Sequence, residues 1–168
     1  MQGFKLSRSY KVIIIGSGFG GQLAALSLRK HNITDFLILE RRKFMGGTWS
    51  QNVYPGAAVD VPSPLYAVAS EPFDGTQMYA DQHELNSYTD HIIEKHGLRE
   101  QTVTNCNVTG IQWDESSQRW LIKVANGDAY TARFVINASG PLSIPVIPHL
   151  KGRCLLARVA KRVAAIVV

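Results

Sequence analysis

Two short apolar runs stand near the start of the chain, and a leucine-rich helical pattern separates them. Residues 12–15 read Val-Ile-Ile-Ile and residues 36–39 read Phe-Leu-Ile-Leu. Continuous apolar runs of this length are typical of strands that are buried on both faces, as in a parallel sheet. Residues 10–40 therefore predict a β-α-β unit. Residues 1–9 form a short polar lead before this unit.

The next two segments differ in pattern. Residues 41–80 are rich in glycine, proline and aromatic side chains and have little periodicity, which is typical of a functional loop region. Asp81 follows, with Glu84 three positions later, and this pair resembles a capping box at the start of a helix. Gly97 suits the end of that helix.

The rest of the chain predicts short strands. One or two strands are expected within 103–111, a hairpin over 113–124, a tight turn at Asn126-Gly127 and a strand over 130–136. We expect the last of these strands to return beside the first. The order predicts an α/β fold, a Rossmann-like domain with a parallel sheet, helices and a small antiparallel excursion.

A glycine motif with its full context lies between the first strand and the first helix. Gly16, Gly18 and Gly21 have the spacing G-x-G-x-x-G, and Glu40 lies 19 residues beyond Gly21 at the end of the second strand. In this motif the glycines permit a sharp turn, close approach of the backbone to a pyrophosphate and close packing of helix on strand. The unpaired amides of the helix N-terminus bind phosphate oxygens. A dinucleotide site is therefore predicted.

The acid at the second strand narrows the choice of dinucleotide. The carboxylate of Glu40 can accept hydrogen bonds from a ribose diol, and it would repel a phosphate group on the same ribose. FAD or NAD is therefore expected at this site.

Charge and composition exclude several other classes. The formal charge is +5, but the whole excess lies in residues 151–168, which hold five basic residues and no acid. Nucleic-acid binding is therefore not predicted for the body of the chain. Cys106 and Cys154 form no disulfide framework. No apolar run is long enough for a bilayer or a signal peptide, so a cytoplasmic protein without a transmembrane segment is expected.

No metal site is predicted. His83, His91 and His96 fall on or beside the predicted second helix, but their spacing scatters them around it. Solvated or structural roles are the simpler interpretation.

Three further segments support a family resemblance. They are Gly46-Gly-Thr-Trp49, the segment from Tyr54 to Ser63 that begins Tyr-Pro-Gly, and the proline-rich run from Asn137 to Pro148. Together with the glycine motif and Glu40, they resemble the N-terminal FAD domain of Baeyer–Villiger monooxygenases, within the wider flavin-containing monooxygenase group. The resemblance covers roughly residues 10–150 and implies FAD as cofactor. In the family, NADPH reduces the flavin, which then uses oxygen to convert a small-molecule ketone to an ester or lactone.

The resemblance implies roles for single residues. The positions implied along the pyrophosphate or beside it are Gly16, Gly18, Phe19, Gly20, Gly21 and Gly140. Glu40, with Arg41 beside it, would hold the adenosine ribose, and the backbone of Val108 would meet the adenine. The positions implied near the flavin are Gly47, Thr48, Trp49 and Tyr66. Asp60 matches an acid that positions the flavin ring and the second cofactor, and it is the one catalytic residue implied.

The resemblance stops near residue 150. Residues 1–150 are therefore predicted as the FAD-binding domain and residues 151–168 as a basic amphipathic tail. The family continues with a second glycine-rich unit for NADPH, and this chain has no second G-x-G-x-x-G. We expect a premature or out-of-frame end and a chain that is inactive alone. The other interpretation of the tail is a helix that binds a partner or a membrane surface.

Two other functions stay open. One is a non-catalytic module that binds FAD or NAD and uses the tail to bind a partner. The other is an NAD-dependent oxidoreductase with one Rossmann unit, which the Gly-Gly-Thr-Trp segment and the absence of a recognisable catalytic pair disfavour. The sequence identifies neither the ketone nor the oligomeric state.

Overall fold

In the computed structural model, residues 5–142 of the chain are described. The strands are β1 (Lys5–Ile15), β2 (Phe36–Leu39), β3 (Thr102–Val103), β4 (Val108–Asp114), β5 (Arg119–Val124) and β6 (Asp128–Asn137). The helices are α1 (Phe19–Lys30), α2 (Thr48–Gln51) and α3 (Gln82–Lys95), with short 3-10 turns at Ser63–Leu65 and Leu98–Gln101. The proline-rich run from residue 143 and the predicted tail over 151–168 lie outside the described residues.

The six strands form one sheet in the order β3-β2-β1-β6-β5-β4. The pairs β1–β2, β2–β3 and β1–β6 are parallel, whereas β5 pairs antiparallel with both β4 and β6. The predicted fold class is therefore confirmed, including the return of the last strand to the side of β1. This order puts the carboxyl ends of β1, β2 and β6 side by side at one edge of the sheet.

The central strands are buried on both faces, which explains their continuous apolar sequence. Val12 and Ile14 pack with α1, α3 and the Phe36 and Ile38 side chains of β2 on one face. On the other face, Ile13 packs with residues of β5 and β6. Successive side chains of a strand point to opposite faces, so an apolar run is required wherever both faces are covered.

The first strand begins earlier than residue 10, the predicted start of the β-α-β unit. β1 begins at Lys5, and its first residues pair with β6 from Asp128 to Ala132, with an irregularity between Leu6 and Arg8. The strand is extended here by backbone pairing with a distant partner, which its local polar composition does not reveal.

The second long helix begins largely as predicted. The Asp81 carboxylate accepts a hydrogen bond from the Glu84 amide at 2.9 Å, and the helix ends before Gly97, whose φ is 53°. The reciprocal half of the predicted capping box is replaced, because the Glu84 carboxylate accepts from the Thr76 amide at 2.9 Å. Glu84 therefore ties the preceding loop to the first turn of α3.

The predicted hairpin is β4–β5, with Trp113 paired to Trp120 across the strands and ring centroids 5.3 Å apart. Trp113 is 39% exposed, whereas Trp120 is partly buried and packs against the core cluster that contains Ile122, so the pair covers the edge of that core. The hairpin lies on the far side of the sheet order from β2 and β3.

Candidate functional site

The glycine loop turns sharply because β6 stands directly beside it. Gly16 has a φ of +100°, and a Cβ atom there would lie 2.5 Å from the carbonyl oxygen of Ala138. The Ala138 amide donates to the Ile15 carbonyl at 2.8 Å, so the end of β6 is fixed against the end of β1. Only glycine satisfies both the positive φ and the close backbone approach.

Gly21 serves packing inside the protein. A Cβ atom at this position would lie 2.0 Å from the carbonyl oxygen of Gly16 and 3.7 Å from the side chain of Ile14. Gly21 is buried and does not line the cavity described below. Its geometry therefore agrees with the helix-on-strand contact predicted for the third glycine, rather than with a place beside a ligand.

A second glycine pair crosses over the loop. Gly47 has a φ of +64°, and its Cβ would lie 2.7 Å from the Cα of Gly18. The preceding residue, Gly46, donates its amide to the Ser17 carbonyl at 3.2 Å. The segment before α2 thus packs backbone to backbone on the glycine loop. Sequence reasoning missed this contact, since the two glycine pairs are far apart in the chain and only the family resemblance marked the second.

The N-terminus of α1 presents free donors to this region. Its N-cap residue is Gly18, which has no side chain to accept from the first amides, and the first turn holds no acidic residue. The first amides of a helix have no intrahelical acceptor and carry the positive end of the helix dipole. The amides that follow Gly18 can therefore bind an anion.

Glu40 is buried at the end of β2, with 5% of its surface exposed. Its Oε2 accepts from the Ser17 amide at 3.0 Å and from the Ser17 hydroxyl at 2.6 Å. Its Oε1 accepts from the Arg42 amide at 2.9 Å. Burial, followed by the charge of Arg41, lowers the pKa of Arg42. The carboxylate is held in one orientation at the wall of the cavity.

Three aromatic side chains form another part of the wall. The Trp49 indole N–H donates to the Tyr66 hydroxyl at 3.0 Å, and the two rings meet edge to face. The Phe19 ring also meets the Tyr66 ring edge to face, with centroids 5.5 Å apart. Because Phe19 is the first residue of α1, this cluster connects the glycine loop to the segment that follows α2.

These elements surround one cavity of about 590 Å³. Its lining includes most positions that the sequence predicted: Gly16, Gly18, Phe19, Gly20, Glu40, Arg41, Gly47, Thr48, Trp49, Tyr66, Val108 and Gly140. Asp60, the predicted catalytic residue, is exposed and is not among the lining residues. A volume of this size lies within the range of small-molecule and cofactor sites, roughly 300–1,000 Å³.

The cavity also has lining residues that sequence reasoning did not assign. They are Ile15, Ser17, Leu39, Arg42, Gly46, Gln51, Cys106, Asn107, Asn137, Ala138, Ser139, Pro141 and Leu142. Most of them directly follow or precede a predicted position. The position of a residue at the carboxyl end of a parallel strand was therefore the signal from which they could have been predicted. Cys106 is buried, and desolvation raises the pKa of its thiol, which disfavours a role as a nucleophile.

Residues 5–142 hold neither a cluster of metal ligands nor a membrane-spanning helix. No group of three or more His, Cys, Asp and Glu side chains in this part of the chain could hold a metal ion. The described helices include none with the length and apolar character needed to cross a membrane.

The fold and the site define a class. A glycine loop, an uncapped helix N-terminus and a buried acid face one cavity at the carboxyl ends of parallel strands, which is the arrangement of a Rossmann-like dinucleotide-binding domain. In agreement, the family model of the NAD(P)-binding Rossmann-like domain matches residues 14–81.

More specific relatives are flavoprotein monooxygenases. A Baeyer–Villiger monooxygenase of Streptomyces coelicolor is 41% identical over 143 residues, which are 84% of this chain and 27% of that protein. The FAD-binding monooxygenase ktnD of Aspergillus niger is 36% identical over 84% of this chain and 25% of its own length. The solved structure of a steroid monooxygenase bound to NADP superposes with a TM-score of 0.78 at 32% identity, covering 86% of this chain and 28% of that one.

The chain is a homologue of the Baeyer–Villiger monooxygenases, and the resemblance seen in its motifs is confirmed. It spans about a quarter of the length of the curated relatives that it matches.

Proposed function

We propose that this chain binds FAD and acts as the FAD domain of an NADPH-dependent flavoprotein monooxygenase of the Baeyer–Villiger type. One observation carries the proposal: the glycine loop, the amides of the α1 N-terminus and the buried Glu40 carboxylate all border the same cavity. A diphosphate needs the first two features and an adenosine ribose needs the third. One relative is named an FAD-binding monooxygenase, which supports the choice of FAD.

The shape of the wall fits such a cofactor. The close contact of Gly18 with Gly47 brings two stretches of backbone together without intervening side chains. Gly140, three residues beyond the end of β6, also lines the cavity, and with a φ of +72° and no atom within 4 Å of an added Cβ it leaves open space. A long ligand with a narrow, charged middle suits a cavity whose wall includes stretches of backbone without side chains.

The residues of this chain would bind and orient the cofactor. The amides after Gly18 would donate to the diphosphate, and Glu40 would accept from the ribose hydroxyls. Trp49 and Tyr66 would shield the flavin half from water. FAD, when bound, supplies the redox chemistry by which one oxygen atom of O2 enters a ketone. Asp60 stays a proposed positioning residue for the flavin ring, and the boundary near residue 150 stays a prediction.

Titration with FAD tests the proposal. We expect the purified 168-residue chain to take up FAD with a yellow colour, and to bind FMN at least about tenfold more weakly because FMN lacks the adenosine half. We expect no NADPH oxidation by the flavin-loaded chain, since the second glycine motif of the family is not in this sequence. A folded chain with no affinity for either flavin contradicts the proposal.

The alternative of a non-catalytic module rests on the tail over residues 151–168, which lies outside the described residues. No feature of residues 5–142 favours it over the monooxygenase domain.

A further inference from the structure

Ser17 occupies the middle of the glycine loop, yet its own surface is fully buried. All of its polar atoms are bonded within the protein. The amide and the hydroxyl both donate to Oε2 of Glu40, at 3.0 Å and 2.6 Å. Its carbonyl accepts from the Gly46 amide at 3.2 Å and from the Gln22 side chain at 3.1 Å. Ser17 therefore has no donor left for a ligand, and its hydroxyl serves Glu40 alone.

The Glu40 carboxylate is almost fully bonded as a result. Ser17 donates twice to Oε2, and the Arg42 amide donates to Oε1 at 2.9 Å. A carboxylate has about four acceptor sites. About one site therefore remains, on the oxygen that does not contact Ser17, and Glu40 lies at the wall of the cavity.

We propose that Ser17 is a positioning residue for nucleotide recognition, whose hydroxyl fixes Glu40 so that its remaining acceptor site is kept for the ribose diol of the adenosine half. The inference rests on the proposed function, because it assumes that the cavity takes an adenine nucleotide. It adds a residue whose hydroxyl contacts Glu40 rather than a ligand and that sets the affinity for one particular part of the ligand.

The hydroxyl is the relevant group because the loop itself does not need it. The other bonds of Ser17 are made by its own backbone amide and carbonyl, and an alanine would keep them. Without the hydroxyl, Oε2 loses its short charge-assisted bond, and a buried carboxylate with an unfilled acceptor site turns towards another donor or water. The free acceptor site then no longer stays in one place.

The experiment compares two probes, ADP and 2′,3′-dideoxy-ADP, by calorimetric titration of the full 168-residue chain and its Ser17→Ala variant. We expect Ser17→Ala to weaken ADP binding by about five- to tenfold, the net worth of about one hydrogen bond, because the ribose hydroxyls then meet a carboxylate that is no longer held in one orientation. We expect the same variant to change the binding of dideoxy-ADP by less than about twofold, since the hydroxyls read by Glu40 are then absent.

Two further variants keep the test decisive. Ser27→Ala, an exposed serine of α1 away from the cavity, should leave both affinities unchanged. Ser17→Cys retains a weak donor of similar size, so it should give an intermediate loss for ADP alone, and it carries the test if Ser17→Ala does not fold. Equal losses for the two probes would mean a purely structural role and overturn the inference while the proposed function stands. A folded wild-type chain that binds neither FAD nor ADP overturns both.

Discussion

At the scale of single residues, Gly21 has room for a hydrogen atom but not for a methyl group at its side-chain position. Alanine is a better helix former than glycine by about 1 kcal/mol, and Gly21 lies in the first turn of α1. Against this gain stands a Cβ atom 2.0 Å from the backbone oxygen of Gly16, which neither the strand nor the helix can avoid without moving. The steric cost decides the outcome.

We therefore expect Gly21→Ala to destabilise the chain by about 1–2 kcal/mol net of helix propensity. In a domain of this size the melting temperature should fall by about 2–8 °C, measured by circular dichroism. Gly20→Ala is the matched control in the same turn, because its Cβ would meet the Ala138 side chain at an ordinary 3.6 Å. A melting temperature that falls equally in both variants would contradict the steric argument.

Site residues differed in how far the sequence revealed them. Glu40 was predictable because its spacing from the glycines reflects the fixed length of a β-α-β unit. The reason why residue 47 must be a glycine could not be predicted, because its contact with Gly18 forms only when two distant segments meet. The same holds for Ser17, whose partner Glu40 follows the second strand, 23 residues further along the chain.

At the scale of elements, α3 depends on the residue that caps its N-terminus. Asp81 accepts from the Glu84 amide, and no other side chain of the described residues caps this end. We expect Asp81→Ala to lower the free energy of unfolding by about 1 kcal/mol, from urea titration. Asp81→Asn retains a capping oxygen and should lose less than half as much. If the two substitutions cost the same, the cap is not the cause.

A buried carboxylate joins the loop before α3 to the end of that helix. Glu71 accepts from Lys95 and from His96, each at 2.7 Å, and the Tyr88 hydroxyl donates to the Glu71 carbonyl. The bond from Lys95, followed by that from His96, lowers the pKa of Glu71 below its ordinary value of 4.5. The carboxylate is thus ionised where these bonds form, and the contact stabilises the folded state at neutral pH.

The lowered pKa of Glu71 fixes the direction in which the stability of the fold changes with pH. A group whose pKa is lower in the folded state contributes stability above its unfolded pKa, and that stability is lost as the pH falls through the folded value. We expect Glu71→Gln to lower the urea midpoint at pH 7, and the difference from wild type to shrink steadily below pH 4.5. Glu94→Gln, at an exposed partner of Arg99, is the control and should have little effect. A difference that is constant with pH would contradict this account.

At the scale of the whole molecule, the tryptophans report on separate regions. Trp49 lies in the cavity wall, whereas Trp113 and Trp120 form the cross-strand pair on the hairpin. In the Trp113→Phe, Trp120→Phe double variant, Trp49 is the remaining tryptophan of the chain. We expect bound FAD to quench most of its emission, because the flavin half would lie against this wall. Flavin binding without a change in this emission would place the flavin elsewhere.

The strands of the fold could be predicted from the sequence where side chains are buried on both faces of the sheet. β1 and β2 appear in the sequence as apolar runs because side chains pack on both of their faces. The early part of β1 does not appear as an apolar run, and it is paired with β6, a partner more than a hundred residues away. Patterns record burial well and backbone pairing poorly.

The pairing of the earliest strand with the latest described one has a consequence for how the protein matures. Gly16 turns against Ala138, so the pocket wall is finished by a residue that the ribosome adds long after the glycines have emerged. Contacts of such high sequence separation form late in folding. A nascent chain would therefore acquire its ligand only once synthesis has passed the end of β6.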